Sequence, residues 1–367
     1  MRQTILAILL FLPFCISQAQ QAPIDVHGFN KTLQLEELLT PIDLQSDILM
    51  VQGVTSDDKY LYVYNRKETP IVKAYRLTDG MYMGGFGSIG KGPGEYDPFL
   101  FSSSFNARNG QIITQDMKYV RILNVKESAD RLSFEMVKEV RMPPEWDIVN
   151  QGILLKDDLY AGSIMFTEKD FVTFPLSDMS LEERNSRVGS FGDFPHEYPD
   201  VPFNVYHELY QGMSSFAYNG NALVRYYSRL PMLRLFRLPS GDYLDIPFKP
   251  KNAQIKNIKL NKSGRGIENG LDMINYFSNV QMGREFIVAS YQEGKYRRVA
   301  MTEMGNLERV PLTDKYVLVL STEGELLAKL TPPEWMGWFH VTPKDQLIVF
   351  HPEISDQLFM VDLNQFK

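Results

Sequence analysis

Short apolar runs closed by Asp, Asn and Gly recur from one end of the chain to the other. Six of them span residues 60–64, 111–114, 159–163, 222–227, 285–290 and 346–350. Each is followed by a partner run, at 72–77, 119–125, 171–176, 233–238, 316–320 and 357–363. Runs of this length, rich in Val, Ile, Tyr and Phe and bounded by turn formers, predict β-strands. The pairs repeat at roughly 50 to 60 residues, close to the ~40 to 50 residues of a propeller blade with insertions. Only 35–39 and 181–184 have helical spacing, so the pattern predicts an all-β chain. The expected fold is a six-bladed β-propeller with four-stranded blades.

A propeller closes by pairing an N-terminal strand with its last blade, which removes the open sheet edge. A strand within 24–39 is therefore expected to complete the blade formed by 340–363.

A second repeat marks the joints between blades. Pro93-Gly94-Glu95-Tyr96, Pro144-Glu145-Trp146, Pro195-His196-Glu197-Tyr198 and Pro333-Glu334-Trp335 each place a Glu-aromatic pair just after proline or one residue later. All four follow a blade's last strand. Proline cannot donate to a ladder and ends the outer strand, which frees the aromatic to wedge between neighbouring blades. Recurrence at equivalent joints makes the glutamates structural parts, accepting N–H groups of their own turns.

The first joint, GGFGSIGKGPGEY at 84–96, resembles the signature loop of the TolB-like six-bladed propeller family, the exported or lipid-anchored BF-type proteins. Its core is Gly92, Pro93, Gly94, Glu95 and Tyr96. The resemblance implies a propeller whose Gly-Lys-Gly-Pro-Gly-Glu stretch follows the first blade, as it does in this sequence.

The N-terminus changes the picture of where the protein works. Arg2 precedes an apolar run at 5–16 and then Ser17-Gln18-Ala19, the layout of a signal peptide cleaved after Ala19. Residues 20–367 then form one propeller domain, exported to the periplasm or cell envelope. Cys15 is the only cysteine, and Phe14 stands where a lipobox needs a small residue, so a lipid anchor at Cys15 is not expected. No other segment approaches the ~20 apolar residues of a transmembrane helix. The net charge of −7 argues against nucleic acid as the partner.

Several motifs dissolve on inspection. Gly85-x-Gly87-x-x-Gly90 and Gly85-x-x-x-x-Gly90-Lys91 imitate phosphate-binding loops, which need a helix to follow at once; Pro93 and Pro98 forbid it. The five histidines, His27, His196, His207, His340 and His351, form no close-spaced zinc pattern. No cofactor is expected; no DxDxDG loop is present, but scattered Asp, Asn and Glu around a central channel leave Ca2+ open.

Two insertions carry the functional expectation. Residues 249–270 hold six Lys/Arg against Glu268, and residues 291–315 include Arg297 and Arg298. The usual blade order puts both on one face, together with Arg66, Lys67, Lys118, Arg229 and His351 in equivalent loops. The sequence thus predicts a monomeric, non-enzymatic envelope protein holding a peptide, partner protein or anionic glycan on this face. The alternative is a metal-dependent sugar or lactone hydrolase or lyase using the central channel.

Overall fold

In the computed structural model, the second strand of the fifth blade shows why the apolar runs carry no alternation. Phe286 and Val288 pack into one hydrophobic core with the sixth blade, while Ile287 and Ala289 pack into another with the fourth. Both faces of each blade are covered by neighbours, so a strand such as Tyr60–Tyr64 is buried at all five positions. The described residues are 21–48, 51–92, 94–97, 105–116, 118–142, 150–156, 158–163, 167–177, 179–210, 214–216, 221–238, 240–298 and 307–367. The predicted leader, Cys15, Pro93, the joint at 144–146 and the side chain of Arg298 lie outside them.

Six sheets form the ring, a six-bladed β-propeller. Blade 1 comprises Gly53–Ser56, Tyr60–Tyr64, Val72–Arg76 and Tyr82–Phe86. Blade 2 comprises Asn106–Arg108, Gln111–Gln115, Tyr119–Glu127 and Leu132–Arg141. Blade 3 follows with Asn150–Lys156, Leu159–Ser163, Lys169–Pro175 and Gly189–Asp193. Blade 4 holds Ser214–Phe216, Ala222–Tyr226, Met232–Arg237 and Tyr243–Pro247. Blade 5 holds Asn275–Met282, Phe286–Arg298, Tyr316–Ser321 and Leu326–Thr331, and blade 6 Phe339–Val341, Gln346–Val349 and Gln357–Asp362. Within each blade consecutive strands pair antiparallel. No described helix is long and apolar enough to cross a membrane.

The ring closes with an N-terminal strand, as expected, but not the expected one. Thr40–Asp43 pairs antiparallel with Gln357–Asp362 and supplies the fourth strand of blade 6. The strand inside 24–39, Thr32–Gln34, instead pairs parallel with the outer strand of blade 5. Upstream again, Ile24 bridges Phe248 at the edge of blade 4. The reason is burial: Val26 fills the core between blades 4 and 5 and Leu35 the core between blades 5 and 6, each 0% exposed. The chain must cross those two edges before it reaches the sixth.

The glycine-rich first joint is structural in its geometry. Gly87 and Gly94 adopt φ of +82° and +75°, the left-handed region open to glycine. Glu95 accepts the Gly92 N–H at 2.7 Å, and Tyr96, 2% exposed, packs with residues of both blades 1 and 2. At the fourth joint Trp335 packs against the core of blades 5 and 6.

Candidate functional site

In each antiparallel blade the loop between the second and third strands and the link to the next blade emerge at the same end. This places 249–274, which join blade 4 to blade 5, beside the insertion in blade 5. That insertion is not a loose loop. The second strand of blade 5 continues through Arg298 and turns back as Leu307–Pro311, forming a hairpin raised above the blade.

One carboxylate locks the two insertions together. Glu293, fully buried, accepts the main-chain N–H of Lys251 and of Asn252 at 2.7 Å each, the Asn252 side-chain amide at 2.8 Å and the Tyr291 hydroxyl at 2.8 Å. His27 Nε2 lies 3.3 Å away. Burial alone would raise its pKa; the donors from Lys251, Asn252 and Tyr291 outweigh it and hold the group below the usual range. Gln254 adds bonds to the carbonyls of Arg229 and Ile274 at 2.9 and 2.8 Å. The loop root is therefore rigid.

Beyond that root, Lys251, Lys256, Lys259, Lys262 and Arg265 are exposed. Among the described residues none has a carboxylate within ion-pair distance, whereas Lys249 pairs with Asp25 at 3.2 Å. The other sequence-predicted residues fall into different environments. Arg66 and Lys118 are exposed, with main-chain N–H groups held by Gln52 and Asp116 at 2.8 Å. Arg297 is exposed and paired with Glu308 at 2.7 Å. His351 is half-buried, its ring 4.6 Å from Trp335. Arg229 is only 9% exposed and lies 3.8 Å from Glu208; burial lowers its pKa, so it braces the loop root rather than facing solvent.

Two cations that the sequence did not single out stand where the hairpin meets the hub. Arg309 Nη2 donates to the carbonyls of Asn275, at the start of the inner strand of blade 5, and of Gln292. Lys315 Nζ donates to the Met336 carbonyl at 3.1 Å. Burial pushes both pKa values down, and Arg309 pushes Lys315 down further. Their separation of six positions in the sequence gives no hint that a hairpin folds them together.

Next to the loop root, a groove of about 1170 Å3 runs between Tyr198 of the third joint, Asp245 on the outer strand of blade 4, and Pro250 and Ile255 of the insertion. Arg234 lines it, bonded to both oxygens of Asp245 at 2.5 and 2.8 Å and 3.9 Å from the Tyr243 ring. Among the described residues no group of three or more His, Cys, Asp or Glu side chains is placed to hold a metal ion.

No protein-family model matches the sequence, and no curated protein matches it. Solved structures do. A DUF4221-family protein from Bacteroides vulgatus superposes with a TM-score of 0.58 at 12% identity, over 88% of this chain and 95% of its own. A candidate exported protein from Bacteroides fragilis gives 0.56 at 14% identity, over 90% of this chain and 98% of its own. At such identities the likeness establishes the fold this chain shares with them, a propeller running over nearly the whole of each molecule.

Proposed function

We propose that this protein is a non-enzymatic binding propeller of the cell envelope that captures an anionic ligand on the face carrying 249–274 and the blade 5 hairpin. The observation that supports it is the row of exposed cations Lys251, Lys256, Lys259, Lys262 and Arg265 on a loop fixed by a buried Glu293. In a net-negative protein, cations with no carboxylate partner among the described residues are available to a partner molecule. Export rests on the leader-like residues 1–19, and the Bacteroides fragilis neighbour, itself a candidate for export, supports the same compartment. The working form is residues 20–367 as one domain and a monomer.

The test is a combined Lys256→Glu, Lys259→Glu, Lys262→Glu, Arg265→Glu variant, assayed for retention on immobilised poly-glutamate and alginate. Rim charges act additively and are screened by salt, so retention should fall about tenfold or more and the wild type should elute with rising salt. Retention equal to wild type, with an unchanged melting temperature, would end the reading.

A further inference from the structure

We propose that Arg309 and Lys315 form the carboxylate-reading centre of this face, and that the ligand is an acidic peptide segment with an Asp or Glu next to a large apolar side chain. The inference rests on the binding-face reading above and names its ligand class.

Arg309 is held in place. Its Nη2 is bonded to two main-chain carbonyls, and its Nε packs over Gly294, where an added Cβ would come within 2.8 Å. Lys315 is fixed by the Met336 carbonyl in the link between blades 5 and 6. Among the described residues neither cation has a carboxylate within ion-pair distance. The described acids nearby in sequence are engaged elsewhere: Glu293 with the loop root, Glu308 with Arg297, and Asp314 with the Tyr316 hydroxyl at 3.4 Å. Arg309 at the hairpin root and Lys315 at the start of the next strand are each half-buried and held by main-chain carbonyls alone, which leaves their charges to be met by an anion.

The surroundings say what that anion is attached to. Tyr296 stands directly opposite Arg309 in the hairpin register and is 38% exposed. Leu312, on the hairpin's return, and Trp338, in the link whose Met336 carbonyl Lys315 binds, are each 40% exposed. An exposed tyrosine opposite a fixed arginine, and an exposed tryptophan in the link that holds the lysine, are residue types enriched in interface hot spots. Leu312 favours a peptide: unlike Trp338 and Tyr296 it has no flat face for a sugar ring and no hydrogen bond for a hydroxyl, but it does bury against an aliphatic or aromatic side chain.

The experiment uses the full-length protein and a peptide array in which acidic sequences, including Leu-Glu and Phe-Asp pairs, are matched with their Gln and Asn counterparts. Alginate is the polysaccharide comparison. Wild type should prefer the acidic peptides over their amide forms by about tenfold. Lys315→Met and Trp338→Ala should each remove most of that preference without lowering the melting temperature, and Lys315→Arg should restore it. Arg309 is left intact because two carbonyls depend on it. Full binding by Lys315→Met and Trp338→Ala, or a preference for alginate over every peptide, overturns the proposal. If the four-charge loop variant alone loses polyanion capture, only this inference fails; if wild type captures no anionic probe, the binding-face reading fails with it.

Discussion

The buried carboxylate of Glu293 accepts the main-chain N–H of Lys251 at 2.7 Å, so a strand of blade 5 fixes the root of a loop that leaves blade 4. Glu293→Gln keeps the shape but swaps one acceptor oxygen for a donor facing other donors. Charge-assisted bonds of this kind are worth about 1.5 to 3 kcal/mol each, so a loss of about 3 kcal/mol is expected in urea denaturation at pH 7. The pH dependence has a definite sign. The folded pKa lies below the ordinary 4.5, so this stabilisation is present above that pH and is lost as pH falls through the folded value. The variant should therefore differ most from wild type at neutral pH and least in strong acid.

Glu95 tests whether the glycine-rich joint is a structural part. Its carboxylate takes the Gly92 N–H, and its carbonyl accepts Arg121 Nη2 at 3.3 Å, while the Arg121 guanidinium lies 4.7 Å from the Tyr96 ring. Glu95→Ala should lower stability by about 1 kcal/mol and Tyr96→Ala by about 3 to 5 kcal/mol. Neither should alter retention on poly-glutamate. A large loss of binding in Glu95→Ala at intact stability would make the joint part of the site.

The strands were legible because both faces of a blade are buried, which writes each one as a continuous apolar run such as Tyr60–Tyr64. The closing strand Thr40–Asp43 was not, because Pro41 and a solvent-facing edge give it no such run. The same division holds at the site. The basic loop announces itself by composition, and its exposed lysines are where the pattern puts them. Arg229 looks like its neighbours in sequence, but the aromatic cluster of Tyr198, Tyr210 and Tyr227 packs over the loop that carries it and takes it out of the solvent. Arg309 and Lys315 needed the hairpin register and the Met336 carbonyl, neither of which local spacing records.

His340 supplies a separate pH signal from the hub. Its Nε2 lies 2.8 Å from the Ser56 hydroxyl, joining the inner strand of blade 6 to that of blade 1. Burial lowers its pKa to about 4 from an ordinary 6.5. A neutral folded histidine that charges on unfolding gives stability fully present above pH 6.5 and lost progressively down to about 4. The loss should be about 1 to 3 kcal/mol over that window. His340→Gln should flatten the fall in melting temperature between pH 6.5 and 4.5, leaving the lower window to carboxylates such as Glu293. An unchanged slope would show that the ring joint does not titrate.

The N-terminal strap divides into parts with different duties, and two truncations separate them. From Ile24 to Asp43 the chain crosses the outer edges of blades 4, 5 and 6 in order. Lys329 Nζ donates to the Val26 carbonyl at 3.0 Å, and Val26 and Leu35 are wholly buried. A chain beginning at Thr40 loses those contacts but keeps the closing strand. Two buried aliphatic side chains at about 1.5 to 3 kcal/mol each set the expected loss near 3 to 6 kcal/mol, with cooperative melting retained. A chain beginning at Leu44 also loses Thr40–Asp43, leaving Gln357–Asp362 as an unpaired edge and the ring open where blade 6 meets its own start. It should show broad, non-cooperative unfolding and concentration-dependent aggregation by circular dichroism and light scattering. If both chains melt alike, the sixth blade does not need its borrowed strand, and the ring is held by the packing between blades alone.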